Sequence, residues 1–219
     1  AERPKCLVPI GGKPMLGWVL DALSGGGLSD FVFIGGYRMD AVRASRPDLR
    51  FVENRDWAEN NILHSLFCAE HEMDGGFVSS YADIVYRPEA VRAALGHPGD
   101  VVLVNDVAWR KRYLHRSRHP ETDAEKLVAD GDRVVRLDRR IAPEEASGEF
   151  IGVAKFTERG ASELRRAFAA AALPATAYLI ELFAYMIGRG IEVHKVDTPG
   201  EYMEIDTVED HLLAEATWR

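Results

Sequence analysis

The chain has 219 residues, 47% of them hydrophobic and 28% charged, with a formal net charge of −8 at pH 7. This length and composition fit one globular α/β domain that can bury a substantial core. The negative charge disfavours general binding to nucleic acid or to anionic membranes, although a local basic cluster could still bind one small anion. No apolar run reaches the roughly 18 residues that a transmembrane helix requires.

The cysteine content and the first residues bear on the cellular compartment. Cys6 and Cys68 are too few and too widely separated for a disulfide framework or a metal knuckle, so a reducing cytoplasm is expected. No signal peptide is recognisable. The chain opens at Ala1 rather than at methionine and reaches its first motif within three residues, as if an N-terminal segment were absent.

The first motif covers residues 3–14, where Lys5 and Lys13 flank the pair Gly11-Gly12 just ahead of an apolar helical pattern. Glycine amides, a helix N-terminus and fixed positive charges are what a bound polyphosphate requires. A surface turn with two solvated lysines explains the spacing equally well, because the segment does not have the Walker pattern. Both interpretations stay open at this point.

Hydrophobic periodicity and turn residues predict alternating helices and strands. Helices are predicted near residues 15–23, 39–45, 60–73, 88–95, 157–168, 178–187 and 207–216. Strands are predicted at 31–34, 49–52, 77–83, 101–104, 148–156 and 201–206, with an edge-type strand at 191–196. Residues 126–137 read as an antiparallel β-hairpin that turns at Asp130-Gly131. Tyr178, Phe183, Tyr185 and Met186, in the helix predicted at 178–187, are interpreted as core rather than as a cofactor site.

Polar side chains follow several predicted strands. Gly36 and Tyr37 lie at the strand-to-loop edge where α/β proteins place ligands. Asp83 ends a strand, and Asp206 lies between a strand and a helix that starts with a capping-box pattern at Thr207. Each aspartate alone could be a turn or cap residue. Together they could clamp a divalent ion, since Mg²⁺ favours one or two carboxylates with phosphate oxygens and water.

Two further stretches offer ligand-binding groups. Asn60, Asn61 and Ser65 could cap a helix or present amide and hydroxyl groups to a base or sugar. The segment 109–120 is the densest cationic stretch of the chain and also contains aromatic residues. A phosphate or phosphonate pocket is better supported there than nucleic-acid binding, because guanidinium groups bind oxyanions bidentately and the stretch is short. A solvated loop remains the competing interpretation.

Taken together, these residues resemble the nucleotidyltransferase superfamily of sugar-1-phosphate pyrophosphorylases. The broad resemblance lies in Arg3-Pro4-Lys5-x-Leu7-x-Pro9-x-Gly11-Gly12-Lys13-Pro14, Gly36-Tyr37, Asp83 and Glu204-Ile205-Asp206. A narrower resemblance is to the small cytidylyltransferases that act on phosphocholine and on phosphonates such as 2-aminoethylphosphonate. It lies in Asn60-Asn61-x-x-x-Ser65, in Trp109, Tyr113, Arg116 and His119-Pro120, in Glu125-Lys126, and in Gly148-Glu149-Phe150-Ile151-Gly152.

The resemblance implies a Rossmann-like fold, with a mixed, mainly parallel sheet flanked by helices and a small antiparallel excursion. It implies transfer of CMP from CTP to a small phosphate or phosphonate acceptor, with Mg²⁺ as cofactor and release of pyrophosphate. Lys5 would contact the triphosphate, and Asp83 and Asp206 would hold Mg²⁺ as catalytic residues. Nucleotide contacts are expected from Lys5, Lys13, Gly36, Tyr37, Asn60, Asn61 and Ser65. Acceptor contacts are expected from Trp109, Arg112, Tyr113, Arg116, His119, Lys126 and Glu149.

The resemblance also leaves alternatives. The superfamily begins with a strand and a glycine-rich loop that are not found in residues 1–219, so we expect one nucleotidyltransferase domain without that first part. A sugar-1-phosphate nucleotidyltransferase that uses another triphosphate is the nearer rival. A noncatalytic nucleotide-binding domain of the same fold is the more distant one. An ammonium-bearing acceptor would favour Trp109, Tyr113 and Glu149, whereas an acidic phosphonate would favour Arg112 and Arg116.

Overall fold

The computed structural model describes residues 3–114, 116–118 and 120–218. The strands of these residues are, in chain order, β1 Pro9–Ile10, β2 Lys13–Pro14, β3 Val32–Gly35, β4 Arg50–Glu53, β5 Phe77–Ser80, β6 Ile84–Tyr86, β7 Val101–Asp106, β8 Lys126–Asp130, β9 Arg133–Leu137, β10 Gly148–Phe156, β11 His194–Thr198 and β12 Tyr202–Glu204. The α-helices are α1 Met15–Gly25, α2 Met39–Ser45, α3 Ile62–Cys68, α4 Pro88–Gly96, α5 Arg110–Tyr113, α6 Glu158–Ala171, α7 Leu179–Gly188 and α8 Val208–Thr217.

The largest sheet has the strand order β5-β10-β7-β11-β9-β8, and β8 also pairs with β10, so that part of the sheet closes on itself. Within it, β7 and β11 are parallel, and the other pairs are antiparallel. The α/β class and the hairpin β8–β9 are confirmed. The prediction of a mainly parallel, Rossmann-like sheet is wrong, because the long strand β10 runs antiparallel to each of its neighbours and such pairs need no helical crossover.

Helices cover both faces of this sheet and create two hydrophobic clusters. On one face, α6 and α7 pack on β7 and β10 around Leu103, Phe156 and Phe183. On the other, α1 and α4 pack on the same strands through Val91 and Val102. Strand β11 lies between β7 and β9, so the prediction that it is an edge strand is wrong. Two side sheets, β3–β4 and β6–β12, flank this assembly and carry the loops of the site.

Two properties of the described residues bear on the earlier expectations. No helix among them combines the length and the apolar content that a membrane crossing requires. Cys6 is a buried free thiol, and Cys68 is a partly buried one.

Candidate functional site

A cleft of about 640 Å³ opens between the side sheets and the long strand β10. Its walls come from the first turn of the chain, the end of β3, the start of α3, the connection between β5 and β6, and the residues after β12. The cleft brings together nine of the residues predicted to form the site. These are Lys5, Gly36, Tyr37, Asn60, Asn61, Ser65, Asp83, Glu149 and Asp206.

Lys5, Asp83 and Asp206 meet at this cleft. Lys5 lies in a single 3₁₀ turn, and its Nζ donates to Oδ2 of Asp83 at 2.8 Å and also to Oδ1 of Asp206. Each of the three side chains is 35–39% exposed, so the group faces the cleft rather than the core. Two carboxylates and one ammonium therefore converge on one point, although they are up to 201 positions apart in the chain.

The β6–β12 pair explains why the two aspartates are neighbours. Its antiparallel register sets Glu204 opposite Ile84. Asp83, just before β6, therefore lies close to Asp206, just after β12. The amide of Ile205 then donates to the carbonyl oxygen of Asp83 at 3.1 Å. The amide of Asp206 donates to Oδ2 of Asp210, which also caps the first turn of α8 together with Thr207. The predicted capping box therefore fixes the backbone of Asp206.

The electrostatics of this cluster keep Lys5 charged. Burial by itself would lower the pKa of Lys5, but Asp83 and Asp206 outweigh burial and raise this pKa above its usual value of 10.5. An ammonium that stays protonated at every physiological pH is suited to offset the charge of phosphate oxygens.

A second wall of the cleft is organised by Asn54, which the sequence reading did not single out. Its side chain is buried, and its amide nitrogen donates to Oδ1 of Asn60 and to Oγ of Ser65, each at 2.8 Å. The amide of Asn60 donates back to Oδ1 of Asn54 at 3.1 Å. Asn61 instead caps α3 through the amide of Ile62. The predicted cap and the predicted polar wall are therefore formed by neighbouring residues.

An aromatic pair forms the rim of the same wall. Tyr37 and Trp57 are 40% and 46% exposed, and their ring centroids lie 5.3 Å apart in an edge-to-face arrangement. Gly36 has no room for a side chain, because a Cβ there would lie 2.3 Å from Cδ1 of Trp57 and 2.5 Å from the carbonyl oxygen of Asn54. The glycine therefore permits the close contact that holds the rim.

The glycine pair of the first motif lies away from the cleft lining. Gly11 and Gly12 have positive φ and form the turn between β1 and β2, and the amide of Gly11 donates to Oε1 of Glu215. Lys13 contacts Asp21 in an ion pair and lies over the ring of Trp18 at 4.3 Å. In this motif the glycines form a turn and Lys13 pairs with Asp21, whereas Lys5 lines the cleft and its contact with phosphate stays a prediction.

The cationic segment after β7 lies behind the wall of the cleft rather than in it. Arg112 pairs with the buried carboxylates of Asp106 and Glu149, and the hydroxyl of Tyr113 donates to Oε1 of Glu149 at 2.8 Å. Trp109 is buried against Tyr113. These contacts correct the expectation of a ligand-facing patch, because isolated buried charges are too costly and the arginine is held by its carboxylate partners.

The remaining predicted acceptor residues are also placed by the structure, with one exception. Arg116 pairs with Asp210 at 2.8 Å and donates to the carbonyl oxygen of Glu204. Lys126 is buried, and its Nζ donates to two backbone carbonyl oxygens in residues 121–124. Glu149 does line the cleft. His119 lies outside the described residues.

Several residues that line the cleft were not predicted as site residues, among them Tyr81, Glu125, Arg139 and Tyr178. Oε1 of Glu125 accepts from Arg139 at 3.0 Å, and Oε2 accepts from the hydroxyl of Tyr81 at 3.3 Å. The guanidinium of Arg139 lies 4.0 Å from the ring centre of Tyr178, which is 38% exposed and belongs to the rim rather than the core. The hairpin register could have indicated that Glu125 and Arg139 lie together. Leu127 pairs with Leu137, and Glu125 and Arg139 each lie two positions from that pair, towards the open end of the hairpin.

A histidine cluster at His97, Asp132 and His194 brings three ligand-type atoms within 4.8 Å of one another, outside the cleft lining. The amide of Gly99 donates to Nδ1 of His97, so the ring proton of the neutral imidazole lies on Nε2, which contacts Oδ2 of Asp132 at 2.9 Å. The hydrogen bonds of His97 thus account for this contact without a metal ion.

Comparisons with known proteins point to one kind of chemistry. The family model of the MobA-like NTP transferase domain matches residues 1–144. A CTP:phosphoglutamine cytidylyltransferase of Campylobacter jejuni subsp. jejuni is 28% identical over 173 residues, which span 74% of this chain and 68% of that protein. A CMP-5'-(3-aminopropyl)phosphonate synthase of Streptomyces rubellomurinus is 28% identical over 104 residues, 45% of this chain and 17% of that protein.

A solved structure supports the fold over the whole length. The inositol-1-phosphate CTP transferase from T. maritima superposes with a TM-score of 0.78 at 21% identity, covering 98% of this chain and 87% of that one. At 21% identity this likeness shows the fold and does not carry function.

Proposed function

Because the chain belongs to the family of the MobA-like NTP transferase domain, we propose that it transfers CMP from CTP to a small phosphate or phosphonate acceptor and releases pyrophosphate. The acceptor is 2-aminoethylphosphonate, another phosphonate or phosphocholine. The observation that carries the proposal is the convergence of Lys5, Asp83 and Asp206 on one cleft. One ammonium and two carboxylates are suited to a bound triphosphate and its counter-ion.

The choice of CTP rests on the relatives. Two of the relatives are named for CTP or for a CMP-linked phosphonate. We place the nucleotide against Gly36, Tyr37, Asn60 and Ser65, because these residues form the polar wall and rim beside Lys5. In this proposal Asn61 positions α3.

Asp83 and Asp206 fit a divalent metal ion. Nucleotidyltransferases of this family generally use one, and we propose Mg²⁺ here. Both carboxylates contact the same Lys5 ammonium, so their oxygens already converge on one cation, and both are exposed to the cleft. When bound, Mg²⁺ supplies charge neutralisation to phosphate oxygens.

The chain's own residues then align the reactants. An acceptor oxygen attacks the α-phosphorus of CTP, a new P–O bond forms, and the bond to the bridging oxygen of pyrophosphate breaks. A phosphate acceptor is largely ionised at pH 7, so no side chain has to remove a proton. Lys5 offsets negative charge on the triphosphate, and the walls of the cleft hold the two substrates in line.

Pyrophosphate release tests this proposal. The protein is assayed with each of the four ribonucleoside triphosphates against 2-aminoethylphosphonate, phosphocholine and hexose 1-phosphates. We expect release with CTP and a phosphonate or phosphocholine, and loss of release in Asp83→Ala and Asp206→Ala. Asp21→Ala is the matched control, because Asp21 is an exposed carboxylate outside the cleft lining. Preference for a hexose phosphate and another triphosphate would instead identify a sugar-1-phosphate nucleotidyltransferase.

A noncatalytic nucleotide-binding domain is the other outcome. It would bind CTP in calorimetry and release no pyrophosphate with any acceptor. Turnover like that of the wild type in either aspartate variant would contradict the metal assignment.

A further inference from the structure

We propose that the acceptor carries both an ammonium and a carboxylate group at its non-phosphate end, and that Glu125 and Arg139 bind these two groups. The inference rests on the proposed function and names the acceptor class for the same cleft. The acceptor is thus a phosphate or phosphonate of an amino acid type.

The hairpin β8–β9 builds this pair of charges at one point. Leu127 pairs with Leu137, and the amide of Asp138 donates to the carbonyl oxygen of Lys126 at 3.0 Å. The same register continued outwards sets Glu125 opposite Arg139. The amide of Phe150 donates to the carbonyl oxygen of Glu125 at 2.8 Å, which fixes the pair against β10 and beside the cleft.

Glu125 has hydrogen-bonding capacity left for a cation. Its side chain is 9% exposed, and its oxygens accept one bond each, from Arg139 at 3.0 Å and from Tyr81 at 3.3 Å. A carboxylate can accept about four hydrogen bonds. Burial raises the pKa of Glu125 to about 7 despite Arg139, so the environment lacks sufficient positive charge for this carboxylate. A ligand ammonium would supply it.

Arg139 has a donor left for an anion. Its terminal nitrogen binds Glu125, its guanidinium lies over the ring of Tyr178, and its Nε is buried without a hydrogen-bond partner in the described part of the chain. A buried donor without a partner costs about 1–3 kcal/mol. A ligand carboxylate would satisfy that donor, and guanidinium groups bind carboxylates through two parallel bonds.

Both groups are needed on one ligand. An ammonium alone would leave the Nε of Arg139 unsatisfied, and a carboxylate alone would lie against Glu125. With a ligand that carries both groups, the ligand ammonium, Glu125, Arg139 and the ligand carboxylate form a row of alternating charges. Glu149, a neighbouring carboxylate on the cleft wall, is already bound by Arg112 and Tyr113. The other cation on the cleft wall within the described residues is Lys5, at the triphosphate end.

Three phosphonates with the same two-carbon spacing test the acceptor class. 2-Aminoethylphosphonate carries only the ammonium, 3-phosphonopropionate only the carboxylate, and 2-amino-3-phosphonopropionate both. With CTP, we expect kcat/KM for the third compound to exceed that for each of the others by at least about tenfold, the worth of one charged hydrogen bond. Equal or better use of a compound that lacks either group would overturn the inference.

Two variants assign the groups to residues. Glu125→Gln should lower kcat/KM for 2-amino-3-phosphonopropionate at least about tenfold, mainly through KM, without lowering it for 3-phosphonopropionate. Arg139→Met should make kcat/KM for 2-amino-3-phosphonopropionate no higher than kcat/KM for 2-aminoethylphosphonate. Matched controls are Glu144→Gln and Arg140→Met, both exposed and outside the cleft lining, which should keep the preference.

CTP affinity measured by calorimetry separates recognition from folding. It should stay within about twofold of the wild type in both variants, because the nucleotide binds at the other end of the cleft. Equal losses with all three acceptors, or a parallel loss of CTP affinity, would show that the pair is only structural. No pyrophosphate with any acceptor in the wild type would contradict the proposed function itself.

Discussion

Glu125 makes the stability of the protein depend on pH in a defined direction. Burial raises its pKa from 4.5 to about 7, and Arg139 offsets only part of this effect. The folded protein therefore holds the proton more tightly than the unfolded chain, and the free energy of unfolding falls as the pH rises from 4.5 through 7. At roughly 1.4 kcal/mol for each tenfold change in proton affinity, this contribution amounts to about 3 kcal/mol.

The variant Glu125→Gln removes this titration. Urea unfolding of the wild type and the variant at about pH 5 and about pH 8 should show the wild type losing up to about 3 kcal/mol relative to the variant over that range. Glu144→Gln removes an exposed carboxyl and should show no such trend. A difference between the wild type and Glu125→Gln that is equal at both pH values would refute the reasoning.

Three further predictions concern the cleft and its support. Lys5→Met should lower kcat/KM at least about 100-fold in the pyrophosphate assay, with a shift in melting temperature of only a few degrees, because its ion pairs are partly exposed. Gly36→Ala should destabilise the fold by about 2 kcal/mol through its clash with Trp57, whereas Gly96→Ala, with open space around it, should be near neutral. Asp210→Asn should lower the free energy of unfolding by about 3 kcal/mol in urea titration, because its ion pair is buried, and should raise the Mg²⁺ concentration needed for activity.

Local patterns predicted much of the framework. The helix Met39–Ser45 has the predicted bounds, Thr207 caps α8 as expected, and the hairpin turns where Asp130-Gly131 indicates. These features depend on residues a few positions apart, so the sequence contains their cause.

Features that depend on distant partners were harder to predict. The sequence predicted that Arg112 faces a ligand, because its carboxylate partners Asp106 and Glu149 are distant in the chain. In α8 the apolar residues Val208 and Leu212 are 73% and 65% exposed, so they do not pack in the core. The buried face of α8 is built around Asp210 instead, because this residue holds both the helix cap and Arg116.

From the sequence, Asp83 and Asp206 are interpreted as the ends of two strands, whose polar side chains could share one edge of a sheet. In the structure Asp83 instead precedes β6, and Asp206 follows β12. The pairing of β6 with β12 could not be predicted from the sequence. This pairing sets the two carboxylates beside each other and within reach of Lys5. Glu125 was noted only as part of the resemblance and Arg139 was not noted, because the hairpin was interpreted only as a fold element and its register was not extended to these two residues.

Position-specific labelling of CTP tests the central claim most directly. CTP labelled at the α-phosphorus and CTP labelled at the γ-phosphorus are each incubated with the protein, Mg²⁺ and 2-aminoethylphosphonate or 2-amino-3-phosphonopropionate. We expect the α-label in a CMP-linked acceptor and the γ-label in pyrophosphate. Transfer of the γ-label to the acceptor, or no transfer of either label, would contradict the assignment of Lys5, Asp83 and Asp206 as the site of CMP transfer.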